Sequence, residues 1–495
     1  MFAAMRNWLT VNLDWFFLLA GNVFVLLCLA LIVSPLGSVR LGGKEATPDY
    51  SYVGWFSMLF AAGMGIGLMF YGVSEPISHY EAALGGVAVG DGGVRTDWAP
   101  LGAAAGDPQA ARELGMAATI FHWGLHPWAI YAVVALALAL FTYNKGLPLS
   151  VRSMFYPVFG ERIWGWPGHV IDILAVFATL FGLATSLGIG AEQAAAGLAF
   201  LFGSGDPAAG TQTFLGFPYG NEDETLNSAA ILVVLIVVIT AFALISVLRG
   251  LDGGVKVLSE INMGLAALLV LFVVAVGMPL AVLTGFFQNL VAYFTYLLPL
   301  SNPFGREDAN FSQGWTAFYW AWWISWSPFV GMFIARVSRG RTVREFLIFV
   351  LVIPSLVSVF WMTAFGGTAI ALIEGGAEAI GGAPLELKLF EMLEELPLAA
   401  ITSFVGIVLV IVFFVTSSDS GSLVIDTITA GGKVNAPVFQ RVFWCTFEGL
   451  VAIALLMAGG LAALQAMAVS TGFPFAAVLL LACYSIVRGL MSEPR

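Results

Sequence analysis

Apolar and polar positions alternate along this chain on the scale of a lipid bilayer, not of a helix turn or a strand pleat. Eleven predominantly apolar runs occupy 15–33, 53–73, 116–141, 171–189, 229–248, 263–283, 315–335, 346–365, 401–415, 443–457 and 475–486. A helix needs about 20 apolar residues to cross a hydrocarbon core, and the shorter runs are expected to extend into their flanks. The pattern predicts an all-α polytopic membrane protein with eleven spans. The stretch 286–298 is aromatic, nearly uncharged and followed by Pro299, so it is expected along the external interface instead of across the membrane. The Gly-rich, acidic stretch 203–227 reads as an external loop.

The polar remainder sets orientation, because Lys and Arg accumulate on the cytoplasmic side. With eleven spans, all but five of the 20 basic residues fall on one side, and Arg6, Arg95, Arg112, Arg306 and Lys388 fall on the other. This predicts a cytoplasmic C-terminus and an external N-terminus. Residues 1–12 hold one basic residue, Arg6, and no small-residue cleavage site, so the first helix is expected to direct insertion. External Glu222, Asp223, Glu224, Glu391, Glu394 and Glu395 fit an acidic vestibule and fit ordinary solvated loops equally well.

Composition agrees. The chain is 59% hydrophobic and 10% charged, with a mean hydropathy of +0.92, whereas soluble domains run near 45–50% apolar and about 25% charged. A net charge of −11 without a long basic run argues against nucleic-acid partners. Cys28, Cys445 and Cys483 lie in apolar runs without pairing or metal spacing and read as small buried hydrophobes. His79, His122, His126 and His169 show no paired metal spacing and none adjoins a plausible nucleophile, while His126-Pro127-Trp128 reads as a step at a helix kink. The glycines at 63, 65 and 67 follow no strand, so no nucleotide loop is present. No enzyme is expected.

Three stretches carry candidate chemistry. Ala61-Ala62-Gly63-Met64-Gly65-Ile66-Gly67 puts more glycine inside a span than a stable helix would choose, and an interrupted helix persists in lipid only where its freed backbone faces protein, an ion or water. The seventh span carries Ser325-Trp326-Ser327-Pro328, read as a matching interruption five spans later, which points to inverted repeats. Close helix packing at small-xxx-small spacing is the plainer account of Gly63 and Gly67. The second stretch is aromatic. Trp123, Trp128 and Tyr131 fall within an arc of about 140°, and Tyr319, Trp322, Trp323 and Trp326 form one stripe. Indole faces attract quaternary ammonium groups, about 0.5–2 kcal/mol per ring; ordinary core packing remains the alternative. The third stretch is Phe413-Phe414-Val415-Thr416-Ser417-Ser418-Asp419-Ser420, whose hydroxyls are hard ligands for an alkali cation. Alternatively they bond back to their own helix and Asp419 caps its cytoplasmic end.

At these residues the chain resembles the betaine/choline/carnitine transporter family. The resemblance rests on 61–67 with Glu75-Pro76, on Phe121-His122-Trp123-Gly124-Leu125-His126, on Trp320 to Phe329 running into Arg336-Val337-Ser338-Arg339-Gly340-Arg341, and on Thr416 to Ser420. It implies a leucine-transporter-like core of five plus five helices, arranged as a peripheral segment 1–50, a first repeat with an interfacial helix over 51–300 and a second repeat over 301–495. One N-terminal helix fewer than the family's usual twelve is expected. The resemblance further implies a homotrimer in the plasma (inner) membrane. Its aromatic box would be Trp123, Trp128, Tyr131 and Trp323, with Trp322 and Trp326 lining the path and the backbone of Met64 and Gly65 facing the solute. Carbonyls of Ala61, Met64 and Phe413 with hydroxyls of Thr416 and Ser417 would hold Na⁺ as the coupling ion, and no other cofactor is implied. Sodium-independent members carry an arginine in place of the ion, and Ser259-Glu260-Ile261-Asn262-Met263 offers none. The short C-terminus, without the charged tail of osmotically activated members, puts such regulation in doubt.

The expected function is import of a quaternary-ammonium solute, foremost glycine betaine, by Na⁺ symport. A proton-coupled choline carrier and a sodium-independent substrate/product antiporter are alternatives, and a non-transporting osmolyte receptor is disfavoured by the lack of an output domain. The residues do not resolve betaine from choline, carnitine, ectoine or dimethylsulfoniopropionate.

Overall fold

The computed structural model describes residues 1–63, 65–102, 104, 106–204, 213–214, 217–218, 225–249, 256–433 and 436–494. Most of the expected external loop 203–227 therefore lies outside the described residues, apart from a two-residue antiparallel pairing of Thr213–Phe214 with Phe217–Pro218. Among the described residues, nine helices are long and apolar enough to cross a membrane. In chain order the principal elements are α1 (Phe2–Val33), α2 (Tyr52–Gly63), α3 (Ile66–Gly85), α4 (Pro108–Trp123), α5 (Leu125–Ala139), α6 (Trp166–Phe202), α7 (Thr225–Arg249), α8 (Lys256–Val276), α9 (Pro279–Ser301), α10 (Ala317–Val337), α11 (Val343–Glu374), α12 (Ala399–Thr429) and α13 (Val438–Met491).

These elements carry the eleven apolar runs. The tenth and eleventh runs are the two arms of α13, whose 54 residues bend at Gly459 and at Gly460, where φ is 59°. The second run is split between α2 and α3. The third continues from α4 into α5 across Gly124, where φ is −97° and ψ −129°. The break thus falls just before the His-Pro-Trp step, and Pro127 sits in the first turn of α5, where its missing N–H costs nothing. Asp107 opens α4 as a capping side chain, accepting from the amides of Gln109 (3.0 Å) and Ala110 (3.1 Å).

Two expectations need correction. The seventh span is not interrupted at Ser325-Trp326-Ser327-Pro328, because α10 runs through Pro328. A proline inside a helix orphans the carbonyl four residues earlier. Here that carbonyl is Ile324 O, and Ser327 Oγ donates to it at 2.7 Å, so the helix continues. The ninth span likewise does not end near Ser420. It extends to Thr429, and Asp419 is no cap but a buried mid-helix side chain that accepts from Ser246 Oγ on α7 at 2.6 Å.

Burial identifies the centre. In the third span 94% of the most apolar stretch is buried, against 22% in α9. Helices α1, α3, α9, α10 and α11 pack against that span, α6 packs against α3 and α10, and α13 and α12 close against α6. Cys28, Cys445 and Cys483 are free and buried, in keeping with small hydrophobes.

Candidate functional site

The glycine-rich break is present. Helix α2 ends at Gly63 and α3 begins at Ile66, with Gly65 extended at φ −170° and capping α3 without a side-chain bond. Met64 lies outside the described residues. Between this break and the facing helices is a cavity of about 250 Å³. Its walls include Ala61, Gly65 and Gly67 from α2 and α3, Trp123, Trp128 and Tyr131 from α4 and α5, Trp322, Trp323 and Trp326 from α10, and Phe413, Thr416 and Ser417 from α12. One cavity therefore gathers every candidate side chain and backbone position except Met64.

The rings form a connected cage. Trp323 meets Trp123 edge-on with centroids 4.9 Å apart and planes at 83°, meets Tyr131 at 5.8 Å and 87°, and stacks on Trp322 at 5.2 Å and 21°. Trp128 and Tyr131 are 5.4 Å apart at 75°. Their N–H groups are spent on protein: Trp123 Nε1 donates to Glu75 Oε2 (2.7 Å), Trp322 Nε1 to Ser186 Oγ (3.1 Å), Trp323 Nε1 to His122 O (2.9 Å), and Trp326 Nε1 to Gly182 O (3.0 Å) and Ser186 Oγ (2.9 Å). With these four indole donors already given to protein acceptors, the rings offer the cage faces and edges. Such a wall suits a cation that cannot itself donate hydrogen bonds.

Gly67 sets how close the rings come to α3. A Cβ there would lie 2.8 Å from Trp123 Cη2 and 3.0 Å from Trp322 Cη2. Gly67→Ala should push both rings off α3, at an overpacking cost on the order of 1–3 kcal/mol, and lower solute affinity by about tenfold in a tryptophan-fluorescence titration. An unchanged titration would show that the rings do not depend on this approach.

At the α12 end, Thr416 Oγ1 donates to Val412 O (3.0 Å) and Phe413 O (3.2 Å), the back-bonding the sequence allowed. A hydroxyl that donates backward still has acceptor lone pairs for a cation. The donor set here is all oxygen, with no thiol or imidazole among the cavity walls, which fits an alkali cation over a transition metal.

Sequence reasoning missed a buried hub beside the cage. Glu75 is wholly buried and contacts His79 Nε2 (3.2 Å), His122 Nδ1 (2.6 Å), Trp123 Nε1 and the Tyr319 hydroxyl (2.6 Å). It lies just past the predicted 53–73 run and so read as flank, whereas α3 carries on to Gly85. One ligand atom from each of Glu75, His79 and His122 lies within 4.8 Å of the others. Spacing could not reveal this, because the two histidines sit on different helices. Asn262, buried on α8, was also missed as a site residue; it lines the cavity and its Oδ1 has no hydrogen-bond partner among the described residues.

The profile of the betaine/carnitine/choline family transporters matches residues 1–495. A glycine betaine/proline/choline transporter of Vibrio parahaemolyticus is 68% identical over 495 residues, covering 100% of this chain and 86% of that protein. Glycine betaine transporter 1 of the same organism is 55% identical over 490 residues, covering 97% and 86%. A glycine betaine/proline/choline/ectoine transporter of that organism is 51% identical over 497 residues, covering 99% and 82%.

Proposed function

The chain belongs to the betaine/carnitine/choline transporter family, and from that premise we propose that it imports a quaternary-ammonium solute, foremost glycine betaine, by Na⁺ symport. The observation that carries the reading is the cage of Trp123, Trp128, Tyr131, Trp322 and Trp323 in one cavity with the hydroxyls of Thr416 and Ser417. A trimethylammonium group has no N–H to give, and the cage gives it ring faces. The relatives named for glycine betaine and choline support the same solute class.

In this reading Ala61, Met64 and Phe413 carbonyls and the Thr416 and Ser417 hydroxyls hold Na⁺ between α2 and α12. The ion draws the broken segment onto α12, and Gly65 and Gly67, on the same segment, follow toward the solute. Gly67 backs Trp123 and Trp322 directly, so the ion's site and the cage share one strip of backbone. The proposal extends to the five-plus-five inverted repeat, the homotrimer, the external N-terminus and cytoplasmic C-terminus, and placement in the plasma (inner) membrane; the family resemblance and the distribution of basic residues support these.

Reconstituted into liposomes with an inward Na⁺ gradient, the protein should accumulate radiolabelled glycine betaine above its external concentration, and unlabelled choline should compete. Saturable binding without accumulation would sink the transport reading.

A further inference from the structure

Glu75 is placed to act on the cage electrically as well as sterically. Its Oε2 accepts from Trp123 Nε1 at 2.7 Å and from the Tyr319 hydroxyl at 2.6 Å, and its Oε1 faces His122 Nδ1 at 2.6 Å and His79 Nε2 at 3.2 Å. An indole nitrogen can only donate, and an ionised carboxylate is acceptor-only, so the ionised form satisfies all four neighbours at once. His122 completes the pattern as a neutral ring. In the tautomer that gives Nδ1–H to Glu75, its Nε2 is the acceptor for Thr316 Oγ1, 3.0 Å away. No Lys or Arg pairs with Glu75 among the described residues; Arg306, the nearby guanidinium that acts on His122, is paired with Asp308. No permanently charged cation among the described residues therefore neutralises the Glu75 carboxylate.

An unneutralised charge there is costly unless a partner arrives. The indole of Trp123 lies between that charge and the cavity, its nitrogen on Glu75 and its ring edge-on to Trp323. Donating N–H to a carboxylate makes the ring more electron-rich, and a cation at its face feels the ring and the charge behind it. Tyr319, held by the same carboxylate, stacks on Trp323 with centroids 6.2 Å apart and planes at 28°. His122 offers its backbone carbonyl to Trp323 Nε1, which ties the third ring to the same hub.

We propose that Glu75 is the counter-charge of the aromatic cage, a positioning residue that favours solutes by their net positive charge and so admits a quaternary-ammonium alcohol beside a zwitterion. This rests on the quaternary-ammonium reading of the cage. Glycine betaine carries its own carboxylate and feels a smaller net pull, whereas choline feels all of it.

The test compares Glu75→Gln, Glu75→Asp and Tyr319→Phe with the parent protein, each checked for a monodisperse gel-filtration peak, by the KM for uptake of choline and of glycine betaine. Glu75→Gln keeps shape and acceptor oxygen but loses the charge. It should raise KM for choline by about tenfold or more and KM for glycine betaine by less than about threefold. Tyr319→Phe removes one hydrogen bond and keeps the charge, so both KM values should move together. Glu75→Asp keeps the charge and should hold the choline-to-betaine KM ratio within about threefold of the parent. Equal shifts for both solutes in Glu75→Gln, or no shift, would overturn the counter-charge role and leave the cage reading intact. If Glu75→Gln fails to fold, a tenfold change of the ratio in Glu75→Asp or Tyr319→Phe overturns it instead. A parent protein that takes up neither solute would overturn both readings.

Discussion

Replacing Trp323 by alanine should weaken solute binding by roughly one to a few kcal/mol, about 5- to 100-fold in Kd. The expectation follows from where the ring stands. Trp323 touches most of the cage: edge-on to Trp123 and Tyr131, stacked on Trp322 and on Tyr319. Its loss removes one cation–π face outright and also frees the neighbours that it holds apart. His122 O loses its indole donor as well. The measurement is a fluorescence titration with glycine betaine, backed by calorimetry because the variant removes a reporter ring. Trp323→Phe retains a face with a weaker quadrupole and should fall between parent and alanine. Trp8→Ala, on an exposed residue of α1, should leave Kd unchanged. An unchanged Kd in Trp323→Ala would sink the assignment of the cage.

How much of this was legible beforehand depends on which physical signal each residue left in the sequence. The break at 63–65 was legible because glycine inside an apolar run contradicts helix stability locally. The tryptophans of 322–326 were legible because belts at lipid interfaces cannot account for rings in mid-span. What was not legible depended on side-chain contacts, most of them distant in sequence. Ser325-Trp326-Ser327-Pro328 reads as a break, yet α10 runs through Pro328, with Ile324 O taken up by Ser327 Oγ. Asp419 reads as a cap until α7 places Ser246 against it. Glu75 carries no legible role, since a hydropathy boundary at residue 73 puts it outside the span, and all its partners but His79 come from α4 and α10. Asn262 stands out in the sequence only as part of a stretch lacking arginine, because nothing in a sequence marks an acceptor that finds no donor.

Exchanging Na⁺ for K⁺ should abolish concentrative uptake of glycine betaine into proteoliposomes, the largest effect expected of any manipulation here. The reason lies in the shared backbone. Ala61, in the proposed ion site, lines the cavity, and Gly67 backs the cage six residues further along one broken helix. In the proposed symport, ion and solute bias the same element, and linkage then requires each to raise the other's affinity by the same factor. K⁺ is too large for a closely drawn set of hard oxygens and would leave the segment off α12. Thr416→Val removes a hydroxyl at nearly constant shape. It should raise the Na⁺ concentration for half-maximal uptake about tenfold, a coupling of about 1.4 kcal/mol at one ligand. Glycine betaine affinity in saturating Na⁺ should then approach the parent value, since enough ion restores the segment. A Thr416→Val protein with weakened betaine affinity at every Na⁺ concentration would place the hydroxyl in the cage instead. Uptake that is indifferent to K⁺ exchange in the parent would remove sodium from the mechanism and leave the all-oxygen wall of α12 to serve another cation.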